Sequence, residues 1–204
     1  MRAVVIGCSG SGKTTMAKLL ATQQHVCHIE LDALYWLPNW QIREVHDFRT
    51  LVTHAIAQEQ WVTDGNYRVV RDIVWGRATT VIWLNYPFWL VMGRLIRRTL
   101  RRAYTQELLF SGNRESFSKS FLHRDSILWY ALTHYHEIRN HYRQIFAEAS
   151  CTTPHIDWVE LKTPRATHMY LKSRHNDQCS QLKNRRQSTD RSKRCVHPEV
   201  PPTS

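Results

Sequence analysis

Between residues 7 and 15 the chain reads Gly-Cys-Ser-Gly-Ser-Gly-Lys-Thr-Thr, and Gly7 to Thr14 fits the spacing G-x-x-x-x-G-K-[ST]. Glycines at 7, 10 and 12 permit turns with positive φ that aim successive backbone N–H groups inward. Together with Ser9, Ser11 and Thr15 they form a loop which, with the positive end of a following helix, can cradle a polyphosphate. Lys13 would then reach the β- and γ-phosphates, and the Thr14 hydroxyl would sit on Mg²⁺. The alternative is a chance glycine-rich turn.

Further residues of suitable type lie along the chain. Asp32, inside Leu-Asp-Ala-Leu-Tyr-Trp (31–36), follows an apolar run, where α/β sheets bind ligands. A helix N-cap or turn role would suit it equally. Trp36 and Trp40 could line a substrate pocket or simply fill the core. Asp64, at the end of Trp-Val-Thr-Asp-Gly (61–65), is placed to hold Mg²⁺ directly or through water, and Arg68 follows four residues later. Arg94, Arg97, Arg98, Arg101 and Arg102 crowd one stretch, with 94, 98 and 101/102 on one helical face. Like charges at that spacing repel, and a polyanion would relieve the repulsion. A solvated face is the plainer explanation. Arg139 and Arg143 lie one turn apart on a later helix. His134, His136 and His141 are read as packing and surface residues, because no carboxylate or cysteine completes a metal set.

These residues need elements to hold them. The run Ala3–Ile6 predicts a buried strand, and apolar spacing from Lys13 to Leu20 predicts a helix after the loop. Further strands are expected at 26–31, 61–64, 79–84 and 155–161. Helices are expected at 44–59, from Pro87 through the arginine stretch, at 125–149, and briefly after Lys162 to about Lys172. The polar segment 103–120 reads as a mobile segment or lid. The expected domain is 1–173, followed by a basic, aliphatic-poor tail, 174–204, predicted to be disordered.

The bulk numbers bound the class. The chain has 204 residues, 42% hydrophobic and 22% charged, the balance of one globular domain. No apolar run is long enough for a membrane span. The first strand begins at residue 2 or 3, which leaves no room for a signal peptide. The five cysteines show no regular spacing, so reduced thiols and a cytoplasmic setting are expected. The net charge of +11 includes +4 from the tail, which holds seven Lys/Arg and three Asp/Glu. A basic surface is compatible with nucleic acid, but no nucleic-acid-binding motif accompanies it.

Four separated stretches, GCSGSGKTT (7–15), LDALYW (31–36), WVTDGNYR (61–68) and NYPFWLVMGRLIRRTLRR (85–102), resemble the adenylate-kinase-like group of phosphate-loop proteins. Within that group they are most similar to bacterial DNA topology modulation proteins. The resemblance implies an α/β fold of three layers, with a five-stranded parallel sheet in the order 2-3-1-4-5, helices on both faces and a closing lid. It implies ATP and Mg²⁺ as cofactors. By resemblance Asp64 stands in the Mg²⁺ shell and Arg68 grips the phosphate of an acceptor such as a nucleoside monophosphate. Tyr67 stands where the group has proline. Arg94 and Arg98 would clamp the ATP phosphates, with Arg139 and Arg143 returning from the lid. The turn from Lys162 to Arg165 would pass over the adenine. An alcohol acceptor, as in shikimate and gluconate kinases, would instead use Asp32 as the group meeting the hydroxyl. A nucleotide-binding regulator without efficient turnover is the non-enzymatic alternative.

Overall fold

A computed structural model describes residues 1–105, 107–113 and 127–176. Five strands, β1 (Arg2–Gly7), β2 (Cys27–Glu30), β3 (Trp61–Asp64), β4 (Thr80–Leu84) and β5 (Asp157–Leu161), form one sheet. The helices are α1 (Lys13–Gln24), α2 (Leu31–Tyr35), α3 (Val45–Ala55), α4 (Arg71–Arg77), α5 (Phe88–Thr105), α6 (Ile127–Thr152) and α7 (164–176). The three inner strands carry continuous buried runs instead of alternating polar and apolar residues. That pattern belongs to a parallel sheet covered on both faces. The order is β2-β3-β1-β4-β5 with every neighbouring pair parallel, as the resemblance implied. β1 is hydrogen-bonded to β3 on one side and β4 on the other, so the connections leaving its carboxyl end diverge and open a crevice there.

Alternate residues of β1 feed two cores. Ala3 and Val5 pack with Met16 and Leu20 of α1, Val91 of α5 and Leu171 of α7. Val4 and Ile6 face the other way, toward Phe48 and Val52 of α3, Val74 of α4 and Tyr142 of α6. Trp61 and Phe48 are the largest side chains fully out of solvent. α5 buries Val91, Leu95, Thr99 and Ala103, one per turn, which fixes the direction in which its arginines project. No helix among the described residues is long and apolar enough to cross a membrane.

The element ends differ from the sequence expectation in ways that have local causes. β2 stops at Glu30 and Leu31 opens α2, because the buried Leu31 side chain turns the chain inward. Asp32 therefore sits in the first turn of a short helix. α3 is capped by Glu44, whose carboxylate accepts from the His46 and Asp47 N–H groups at 2.6 and 3.1 Å. It ends at Ala55 with the buried Ile56 as its C-cap, and does not continue to 59, since residues 57–60, Ala-Gln-Glu-Gln, offer nothing to bury. α7 continues to 176, beyond the expected domain end at 173. Arg174 Nη2 lies 2.9 Å from Asp157 Oδ2 and its Nε donates to the Tyr170 hydroxyl at 3.1 Å. The rest of the expected tail, 177–204, and the lid positions 106 and 114–120 lie outside the described residues.

Candidate functional site

The loop joining β1 to α1 crosses the crevice above the sheet. Gly12, the N-cap of α1, has φ +94°, and Gly10 has φ +85°. A Cβ on Gly10 would stand 2.7 Å from the Val91 carbonyl oxygen and 2.9 Å from Leu95 Cβ, so the loop lies against α5 only because residue 10 has no side chain. Lys13 folds back over its own loop, donating to the Gly7 and Cys8 carbonyls at 3.0 and 3.2 Å. Burial pushes its ammonium below the ordinary lysine value, with Asp32 and Asp64 opposing the shift. Asn66 holds the loop's origin from both sides: its Nδ2 donates to Gly7 O at 2.6 Å, and Gly7 N donates to its Oδ1 at 3.3 Å. Ser11 is buried in the loop, and its hydroxyl has no hydrogen-bond partner among the described residues. An orphaned hydroxyl inside a ring of backbone N–H groups fits a phosphate oxygen.

One wall of the crevice is acidic and aromatic. The Thr14 hydroxyl donates to Asp64 Oδ2 at 2.6 Å, and His28 Nε2 lies 2.7 Å from Asp64 Oδ1. Both Asp64 oxygens are thereby fixed, beside the loop and out of solvent. Glu30 pairs with Asp64 across the strands; burial, then the Asp64 charge, raises its carboxyl above the usual range. The Tyr67 hydroxyl donates to Asp32 Oδ1 at 2.6 Å, and no hydrogen bond to Asp32 Oδ2 occurs among the described residues. Burial, then the Asp32 charge, pushes the Tyr67 phenol far up, so it stays protonated as the donor. Tyr35, Trp36, Trp40 and Tyr67 form a connected set of rings around Asp32, the closest pair having centroids 4.4 Å apart.

The other wall is the arginine face of α5. Arg94 Nη1 donates to Ser11 O at 3.2 Å, with its guanidinium over the Tyr86 ring at 5.2 Å. Arg98 Nη2 donates to Ser9 Oγ at 3.4 Å, and Arg97, Arg101 and Arg102 line the same space. Part of the expected lid roofs the cleft. Asn113 Oδ1 accepts from Trp40 N at 3.0 Å, its Nδ2 donates to Leu37 O at 2.9 Å, and Ser111 donates to Trp36 O at 2.7 Å. The cleft, open to solvent on one side, measures about 2350 Å³. A single small-molecule pocket is roughly 300–1,000 Å³, so there is room for a nucleotide and a second reactant.

The arrangement can bind phosphates and hold a hydroxyl-bearing group near a carboxylate. Mg²⁺ commonly takes one or two protein groups plus substrate phosphates and waters. Thr14 and Asp64 meet that description, and no group of three His, Cys, Asp or Glu among the described residues could hold a metal by itself.

No family model matches the chain. It is 28% identical over 120 residues to the uncharacterized protein YqaC of Bacillus subtilis (strain 168), spanning 58% of this chain and 67% of that one. Similar solved structures include a sugar kinase from Janibacter sp. HTCC2649, 19% identical with a TM-score of 0.46, over 83% of this chain and 91% of that one. A gluconokinase from Sinorhizobium meliloti 1021 is 18% identical with a TM-score of 0.45, over 88% and 95%. An uncharacterized protein from Eubacterium ventriosum ATCC 27560 is 16% identical with a TM-score of 0.40, over 84% and 96%. The expected link to DNA topology finds no support among these proteins. The chemistry of the cleft rests on its own residues.

The structure brings together Ser9, Gly10, Ser11, Gly12, Lys13, Thr14, Thr15, Asp32, Trp36, Arg94 and Arg98 around one space. Gly7 and Asp64 lie just behind that surface, bonded to Asn66 and Thr14. Four other expected residues lie away from it. Arg68 opens a 3-10 turn (Arg68–Val70) that carries its side chain to an outer groove, and Tyr67 takes the position facing the cleft. Arg139 sits behind the loop, where its Nε donates to Asn85 Oδ1 at 2.7 Å. Arg143 is exposed farther along α6, and Arg165 is exposed on α7, whose Pro164, Thr167 and His168 face the cleft instead. His28, Asn66 and Asn113 were not singled out from sequence. Only strand register could have exposed His28, which becomes a diagonal same-face neighbour of Asp64 once His28 is set opposite Val62.

Proposed function

We propose that this protein is a Mg-ATP-dependent phosphotransferase whose acceptor is a small molecule with a hydroxyl group. The observation that carries this reading is the placement of Asp32. It lines the same cleft as the phosphate loop with one oxygen held by Tyr67, whereas Arg68, which a phosphorylated acceptor was expected to need, lies on an outer groove. Phosphoryl transfer asks mainly for positioning and charge neutralisation. Loop N–H groups, Lys13, Arg94 and Arg98 would hold the triphosphate. The acceptor oxygen attacks the γ-phosphorus as the β–γ bridging bond breaks, ADP leaves, and the hydroxyl proton passes to Asp32 Oδ2. Tyr67, kept neutral, aims that carboxylate. Mg²⁺ on Thr14 and Asp64 would supply charge compensation for the phosphates.

The test is a transfer screen with Mg-ATP against hydroxy acids and sugars, including shikimate and gluconate, and against nucleoside monophosphates. Transfer to an alcohol that fails in Asp32→Asn and survives in Arg68→Ala is the expected result. ATP binding with no transfer to any acceptor would overturn it in favour of a nucleotide-binding regulator. One observation favours a second reading, a phosphorylated acceptor: Arg97, Arg101 and Arg102 extend the cationic wall beyond the two arginines that touch the loop. Transfer to a monophosphate, insensitive to Asp32→Asn, would select it.

A further inference from the structure

On the sheet face away from α1, a groove of about 590 Å³ runs between α4 and the segment entering β5. Arg68, Arg71, Asp72, Trp75, His155 and Trp158 line it. Two indoles form its wall, with ring centroids 5.3 Å apart and planes at 78°. Trp158 is pinned by its Nε1, which donates to Thr153 Oγ1 at 3.1 Å. Half-buried Arg71 lies with its guanidinium 4.9 Å from the Trp75 centroid and 5.9 Å from that of Tyr142.

The two guanidiniums of this groove have no carboxylate partner among the described residues. Arg71 Nη1 donates to His141 Nε2 at 3.2 Å, an imidazole that burial and the neighbouring guanidiniums of Arg71 and Arg68 keep readily neutral. Asp72 also lines the groove, and both its oxygens are paired with Arg49, at 2.9 and 2.7 Å, so its charge is compensated from outside the groove. A guanidinium has five N–H donors, and besides His141 and the Tyr142 hydroxyl no side chain of the groove engages those of Arg71. Planar guanidinium forks suit a carboxylate, and fixed indoles suit the face or edge of a ring.

We propose that this groove is a second binding site, separate from the cleft, for a small planar organic anion, an aromatic carboxylate, with Arg71 and Arg68 on the carboxylate and Trp75 and Trp158 against the ring. Its volume lies within the roughly 300–1,000 Å³ of small-molecule pockets and suits a single-ring ligand. It has no part in phosphoryl transfer as described above, so it stands or falls independently of that activity. The groove and the cleft are joined by the segment 64–68, where Tyr67 reaches Asp32 and the next residue reaches the groove.

The probe is benzoate, titrated into the full chain while the indole N–H signals are followed by NMR, with Trp75→Phe and Trp158→Phe to assign them. Saturable shifts at Trp75 and Trp158, with Trp36 and Trp129 of the cleft unmoved, are expected. Arg71→Gln should weaken binding about tenfold, the loss of a charge-assisted pair. Arg68→Ala, at an exposed side chain, should weaken it a few-fold with the melting temperature unchanged. Absent or non-saturating shifts would overturn the proposal. So would binding unchanged in both arginine variants, or benzyl alcohol or cyclohexanecarboxylate binding as well as benzoate.

Discussion

The two walls of the cleft solve different problems with different materials. On α5 five guanidiniums occur between residues 94 and 102, placed by one helical face, and two of them reach the phosphate loop directly. The opposite wall has Asp32, Asp64 and Glu30, with Tyr67 and His28 fixing the first two, gathered from the ends of β2 and β3. A wall of identical cations can neutralise a spread of phosphate charge without exact register, because guanidinium forks adapt to several oxygens. A wall that moves one proton and steadies one metal needs each carboxylate oxygen assigned a partner. Here three of the four oxygens of Asp32 and Asp64 are assigned within the protein.

Asp32→Asn breaks the asymmetry most sharply. It keeps the shape of the acidic wall and the Tyr67 contact but removes the proton acceptor. Transfer is expected to fall by about 10²–10⁴-fold, the range for general-base loss, with ATP affinity unchanged by calorimetry. Lys13→Ala acts at the boundary of the two walls. Removal of a charge aimed at the developing transition state costs about 10²–10³ in kcat, and here ATP binding should fall as well. The melting temperature should hold, because among the described residues the Lys13 ammonium donates to the carbonyls of its own loop alone. If Asp32→Asn lost ATP binding and Lys13→Ala kept it, the division of labour between the walls would be reversed.

The same asymmetry governs what the sequence could disclose. The phosphate loop is contiguous, and its glycines, lysine and threonine are read within eight residues. The inner strands announce themselves as short apolar runs, so sheet membership was readable and its order followed from the resemblance. The arginine face was visible as a helical stripe. The acidic wall was only half legible. Asp32 and Asp64 were picked out as carboxylates at strand ends, but the partners that assign their oxygens are 35 and 36 residues away, in Tyr67 and His28. Such pairings depend on register, which is set by turn lengths and by burial of the whole sheet. Arg68 shows the converse failure. Its spacing from Asp64 matched a phosphate-gripping pattern, yet a single 3-10 turn after Tyr67 rotates it out of the cleft.

His28→Ala probes the acidic wall without touching a reactant. It leaves Asp64 buried with Thr14 as its one side-chain partner among the described residues, and loss of a hydrogen bond that orients a metal-holding carboxylate reduces metal affinity by about 10–100-fold. The Mg²⁺ concentration for half-maximal transfer should rise accordingly, while binding of ATP in chelator changes little. The melting temperature should also drop, since the buried carboxylate loses a partner. An unchanged Mg²⁺ requirement with a lowered melting temperature would reduce His28 to a packing residue.

The smallest expected effect comes from the roof. Asn113 is almost fully buried, and its side-chain amide bonds to two backbone groups of the loop that carries Trp36 and Trp40, across 73 residues of sequence from Trp40. Those bonds tie the segment after the cationic wall to the aromatic side of the acidic wall, so the lid links the two. Asn113→Ala removes both at once and leaves a buried N–H and C=O to find other partners, at a cost of about 1–3 kcal/mol to the docked lid. The part of that cost recovered on acceptor binding should appear as a rise of up to about tenfold in acceptor KM. KM for ATP should move less, because in the proposed reading the triphosphate would be held by the loop and α5 and not by the roof. Equal increases for both substrates would mean that the roof closes over the whole cleft as one body. An increase for ATP alone would place the nucleotide, not the acceptor, beneath Trp36 and Trp40.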